Sequence, residues 1–525
     1  MSPTRLRCAV AALLLLGACS SGTSSAVRNG ADQPPPGVLR VGIERPQSLD
    51  PAQARSPGEL LVADQLFDGL TTYDPQAATV QPALAARWQA SADQRKWDFT
   101  LRPGATFANG RPITSVDVKY SLDRIAAKGS ASPAASQLEL VTGFRAVNVE
   151  GKDGLAGVTT PAPNVVHIDL DQPLSFLPAV LGHPTFGVVP REAVEAAAPA
   201  FAVQPVGSGP FMIQSRQDDL LHLVPSPGTA SPALRAVDVT LAADATTAYE
   251  AFLAGRLDWT SVPPDQVEQV AQQGRASATP YFGELFYGFN LKNPKFADVR
   301  FRQAIMAAID RDAIVGVVYG PSAKVLNGLI PQGIPAAQPD ACAERCTHDP
   351  DRARGLVAAA FGTKPVPEVQ IDFDDDGTQR AVAQAMQANL KDVGIPSALR
   401  PHTYADYLKF AVSGQQELFR LGWIGAYPAA DAFLTPLFQT ATRDNITGFT
   451  STAVDNTLKG GRAEADDAKR IADYQAAEKL VLDQMPMLPV AQFQFQTVTS
   501  ARVTGLVMNG FGTFDATKVG VGSGR

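Results

Sequence analysis

Residues 287–314, YGFNLKNPKFADVRFRQAIMAAIDRDAI, constrain the fold more than any other stretch of this chain. A strand pattern ends at Asn290, and Pro294 opens the loop that follows. Asp298 is placed to cap a helix, because its carboxylate can accept the unpaired amide protons of a first turn. Phe301, Ala304, Ile305, Ala308 and Ile309 then recur at helical spacing and share one apolar face. A strand handing over to an amphipathic helix needs a sheet for that helix to cover.

The same alternation recurs along the chain. Residues 38–43 alternate like a strand and run into the Ser48-Leu49-Asp50-Pro51 turn. Residues 60–70 are helical in pattern. Residues 97–101 alternate as a strand, turn at Arg102-Pro103-Gly104 and again at Asn109-Gly110, and lead to a helix capped by Thr114 that runs to Ile125. Pro205, Gly207, Gly209 and Pro210 enforce a turn before a strand over residues 211–215. A phosphate loop is the sharper reading there, but the further Gly and the Lys-Ser/Thr it needs are absent. Asp349-Pro350 opens a helix reaching Gly362, and residues 381–390 make another. Alternating strands and helices with long insertions and no internal repeat predict a two-lobed mixed α/β architecture.

The first residues carry Arg5 and Arg7, then an apolar run over residues 9–16. That run is too short to cross a bilayer, which takes about 20 apolar residues, and suits a signal-peptide core. Leu16-Gly17-Ala18-Cys19 resembles a bacterial lipobox, in which the cysteine is lipidated and becomes the mature N-terminus. Residues 20–36, rich in Ser, Gly, Asn and Pro, read as a tether. The expectation is an exported protein held by lipid at Cys19 on the extracytoplasmic face of the cell membrane. Cys8 leaves with the signal, so Cys342 and Cys346 remain. In an oxidising compartment they read as a disulfide, with a metal site completed by His348 as the rival.

Forty-five Lys and Arg against 52 Asp and Glu give a formal charge of -7 without a basic stripe, which argues against nucleic acid as a partner. His167, His183, His222, His348 and His402 show no metal-ligand spacing, and no Gly-x-Ser-x-Gly turn is present. Ser208 lies between glycines, but Pro210 prevents the helix a nucleophile would need. Asp372, Asp374, Asp376 and Gly377 match the start of a calcium loop, whose twelfth position is Ala383 where Glu is required. The alternative is that these carboxylates end a strand and flank the N-terminus of the next helix. No catalytic residue, metal or cofactor is indicated.

Several of these segments share one resemblance. Gly288, Phe289, Asn290, Pro294, Asp298, Val299, Arg300, Ala308, Ile309, Asp310 and Arg311 are similar to a signature of the family-5 extracellular solute-binding proteins, the receptors of peptide-importing ABC transporters. RKWDFTLRPGATFANGRPITSVDVKYSLDRI resembles a second signature of that family, and the likeness spans residues 38–510. It implies a periplasmic-binding-protein fold with an extra inserted domain and a hinge between lobes. The boundaries it suggests are signal 1–18, tether 19–37, lobe I over 38–70 and 203–288, an accessory domain 71–202, lobe II 289–491, and a return to lobe I over 492–525. It further implies a monomeric, non-enzymatic receptor that passes peptides or peptide-like solutes to ABC permease subunits. An envelope scaffold or regulator on the same fold is the alternative.

Leu421-Gly422-Trp423-Ile424-Gly425-Ala426-Tyr427-Pro428 is the candidate cargo segment. Glycines allow close backbone approach and aromatics give contact area. The resemblance places Gly422, Trp423, Ile424, Gly425, Ala426, Tyr427 and Asp431 along the cleft. Where peptide-binding relatives carry the Asp that pairs with a ligand ammonium, this chain has Ala426. Asp431 either substitutes for it or caps the next helix.

Overall fold

The computed structural model describes residues 36–196, 198–227 and 233–522. The cysteine expected to carry lipid, the signal and nearly all of the tether lie outside those residues. Two lobes share one eleven-stranded sheet.

In the first lobe β1 (Val38–Glu44) lies parallel to β10 (Ala236–Ala242) and β11 (Trp259–Ser261), with the hairpin β8 (Phe211–Gln217) and β9 (Leu220–Pro225) at the edge. Val38, Leu39, Val41 and Ile43 are all buried, because β1 is covered on both faces. In the second lobe β14 (Val369–Asp374) runs parallel to β15 (Ser397–His402) and β16 (Leu418–Ile424).

Two long antiparallel strands join the lobes. β12 (Ser277–Phe289) and β17 (Met487–Thr499) have 13 residues each. At one end β17 pairs with β11, at the other β12 pairs with β16, and the short β13 (Ala323–Val325) adds to β17. Their pairing slips between Pro280 and Glu284. A bulge there loosens the ladder and concentrates bending where the lobes meet.

Between the helix Pro57–Leu66 and β8 the chain builds a separate unit. The hairpin β2 (Thr71–Asp74) and β3 (Thr79–Pro82) leads into an antiparallel sheet of β4 (Ala85–Ala90), β5 (Lys96–Leu101), β6 (Val158–Ala162) and β7 (Val165–Asp169), ordered β4-β5-β7-β6. Trp97, Phe99 and Leu101 point inward from β5, and the helix Ser115–Ala126, closed by a Thr114–Asp117 capping box, lies against β6 and β7.

The segment over residues 287–314 folds as its pattern predicts. Asp298 accepts the Arg300 amide at 2.9 Å and caps the helix Val299–Ala308, whose Phe301, Ala304, Ile305 and Ala308 are fully buried. The turn of Gly207 and Gly209 also has a packing cause. A Cβ at Gly207 would collide with the Leu66 carbonyl and one at Gly209 with the Phe67 amide, so the turn lies directly on the end of the Pro57–Leu66 helix. Ser208 is buried and donates to the Val188 carbonyl at 2.7 Å, a structural role. Cys342 and Cys346 are bonded to each other with their Cα atoms 5.5 Å apart, and Arg311 donates to the Cys346 carbonyl.

Candidate functional site at the free edge of the second lobe

β16 changes character along its length. Leu418 and Phe419 are buried and pair with Ile371 and Asp372 of β14. β14 stops at Asp374, but β16 continues to Ile424. From Gly422 onward its inner side pairs with β12, Leu285 opposite Gly422 and Gly283 opposite Ile424. Its outer side carries no strand among the described residues. Because Gly283 lies at the bulge, this free edge opens beside the hinge, at the carboxyl ends of the parallel strands. Such ends are where open α/β sheets form their crevices.

Each candidate residue has a definite place here. Gly422 and Ile424 are exposed, Ile424 at 61%. The Trp423 indole donates to the Ala432 carbonyl at 2.6 Å, which pins the ring to the helix Asp431–Phe438. The Gly425 amide donates to the Phe282 carbonyl at 2.8 Å, and a Cβ on Gly425 would strike the Phe433 ring. Only glycine lets β16 leave the sheet so closely over Phe433. Ala426 is half-buried, and the Tyr427 ring stacks on Phe176, centroids 5.5 Å apart.

Asp431 follows neither of its two expected roles. Ala430 occupies the N-cap position, and the Asp431 side chain is wholly inaccessible. Its carboxylate accepts from Arg462 at 2.9 and 3.0 Å, from Tyr427 and Tyr474 at 2.9 Å each, and from Thr435 at 2.5 Å. Burial pushes this carboxyl up, but Arg462 and the hydroxyl donors outweigh it and hold it below the usual carboxylate range. It anchors Tyr427 and leaves no charge free for a cargo ammonium.

The aspartates of the calcium-like run are likewise engaged. Asp372 pairs with Arg400 and accepts the Glu417 amide at 2.7 Å, Asp374 lies 3.3 Å from Arg420, and Asp375 pairs with Arg380. Asp376 caps the helix Gly377–Asp392. They end a strand and flank a helix start.

Two residues escaped the sequence reading. Arg420, on β16 two positions before Gly422, keeps a buried Nε without a partner. Glu284 lies opposite Trp423, 1% exposed, with neither carboxylate oxygen hydrogen-bonded. Burial raises its carboxyl well above the ordinary value, and the nearby Glu478 adds to that. A lone glutamate within the apolar run of β12 was the available signal. Phe176 and Tyr73, far away in sequence, carried none.

Residues 79–445 match the model of the bacterial extracellular solute-binding proteins, family 5. The chain belongs to that family. The periplasmic murein peptide-binding protein MppA of Escherichia coli is 28% identical over 87% of either chain, and a probable di/tripeptide-binding protein of Pseudomonas aeruginosa is 28% identical over 87% of this chain and 90% of its own. Among solved structures, the unliganded open form of MppA superposes with a TM-score of 0.85 at 26% identity, covering 93% of this chain and 97% of that one. A second structure of E. coli MppA, at the same identity and covering 92% and 98%, reaches 0.68.

Proposed function

We propose that this chain is a peptide receptor of an ABC importer, binding extended cargo along the free edge of β16. The observation that carries the reading is that edge itself, open from Gly422 to Ile424 beside the hinge and floored by a pinned tryptophan. An added strand gains main-chain hydrogen bonds whatever its side chains, which suits a receptor for varied peptides. The names of the relatives, a murein peptide-binding protein and a di/tripeptide-binding protein, support the same class of cargo. Gly422, Trp423, Ile424, Gly425, Ala426 and Tyr427 would line the site, with Asp431 behind Tyr427. Bending of β12 and β17 at the bulge would close the lobes on cargo for a permease to recognise.

No helix among the described residues is long and apolar enough to cross a membrane. Cys19 is our proposed lipid anchor, and the receptor would act as a monomer. Titration calorimetry with tri-alanine and its N-methylated analogues tests the edge reading. Tri-alanine should bind, and methylation of an amide that pairs with β16 should abolish binding. Equal affinity across all singly methylated analogues would rule out strand addition.

A further inference from the structure

A cavity of about 650 Å³ lies between the small four-stranded unit and the second lobe. Tyr73, Trp88 and Phe176 form one wall, and Ala429, Ile471 and Tyr474 the other. Its size falls in the range of small-molecule pockets, roughly 300–1,000 Å³. Direct contacts bracket it. The Tyr73 hydroxyl donates to the Gly333 carbonyl at 3.2 Å, the Ser175 amide donates to the Arg462 carbonyl at 2.8 Å, and Phe176 stacks on Tyr427.

The lining chemistry is one-sided. Its charged side chains among the described residues are Asp467 and Arg470, which pair with each other. Asp431, just behind the wall at Ala430, is neutralised by Arg462. An ammonium or carboxylate entering here would lose water and find no free counter-charge, which is strongly unfavourable. Aromatic rings, prolines and Ile471 favour apolar matter instead.

Connectivity ties the cavity to the free edge. Residues 425–430 lead from the last residue of β16 into the cavity wall, so a strand added at Gly422–Ile424 and continued past Ile424 is aimed toward it at ~3.4 Å per residue. We propose that this cavity takes an uncharged apolar extension of the cargo, an acyl or aryl group carried on one end of an extended peptide. The inference rests on the peptide-receptor reading above and names the class of peptide.

Calorimetry of the mature chain with tri-alanine and with N-octanoyl-tri-alanine tests it. The acylated peptide should bind tighter by about tenfold or more, the effect of burying a few methylenes. Ala429→Phe and Val80→Trp, filling the cavity from opposite walls, should each bring the ratio of the two affinities near one, with thermal melts confirming that the variants fold. If tri-alanine binds and the octanoyl form binds no tighter, or if its advantage survives both substitutions, the inference is overturned and the peptide reading stands. If neither peptide binds, the peptide reading itself falls, and the inference with it.

Discussion

Arg462 grips Asp431 with two nitrogens, Nε at 2.9 Å and Nη2 at 3.0 Å, around a carboxylate that no water reaches. The pair joins the helix Thr452–Ala463 to the helix Asp431–Phe438, and through the Tyr427 hydroxyl it orients the ring stacked on Phe176. Breaking one side leaves an uncompensated buried charge. Arg462→Met should therefore destabilise the protein by ~3–5 kcal/mol, read as a shift of the urea midpoint. Arg462→Met with Asp431→Asn should recover much of that loss. A double variant as unstable as the single one would mean that packing, and not charge, accounts for the effect.

Glu284 and Glu478 predict a stability that declines toward alkaline pH. Burial raises both carboxyls, Glu478 to about 7 from the ordinary 4.5, while the unfolded chain releases both protons near 4.5. A folded-state value above the unfolded one contributes stability present below pH 4.5 and lost as pH rises through about 7. Denaturation midpoints should fall between pH 5 and pH 8, and Glu284→Gln should flatten that slope. A midpoint independent of pH over this window, with no change in Glu284→Gln, would exclude the linkage.

The Cys342–Cys346 bond closes a loop of only five residues, so its entropic contribution is modest, roughly 2 kcal/mol. Thiol labelling of exported protein should find neither cysteine until reductant is added. Replacing both by Ala should lower stability by about that amount and leave the fold intact. Free thiols in the untreated protein would refute the bond.

Trp423 is held by the Ala432 carbonyl beside the free edge. Trp423→Ala should weaken tri-alanine binding by ~2 kcal/mol or more. Trp423→Phe, which keeps a ring and loses one internal hydrogen bond, should cost about 1 kcal/mol of folding stability. Unaltered calorimetric affinity in Trp423→Ala would put the cargo elsewhere.

Cys19→Ala should move the protein from the membrane fraction to the soluble one. Persistent sedimentation of the variant, with no lipid mass on the wild-type protein, would remove the anchor.

Local elements were legible because their causes are local. Asp298 caps its helix with its own carboxylate, Thr114 pairs with Asp117 three residues on, and the inward side chains of β5 alternate with a period of two. The helix Gly377–Asp392 begins four residues before the apolar pattern does, because Asp376 rather than the pattern sets its start. Gly425 was legible as a close approach, though its partner Phe433 was not.

By itself the sequence determined where strands and helices form, where the chain turns, and which family signature the strand-to-helix segment carries, since those depend on neighbours within a few residues. Only the tertiary structure decided that β16 outruns β14 and leaves an open edge, because strand ends are compared across the sheet and not along the chain. It also decided the fate of Asp431. Whether a carboxylate greets cargo or is neutralised depends on Arg462, 31 residues away, whose approach is set by the packing of two helices.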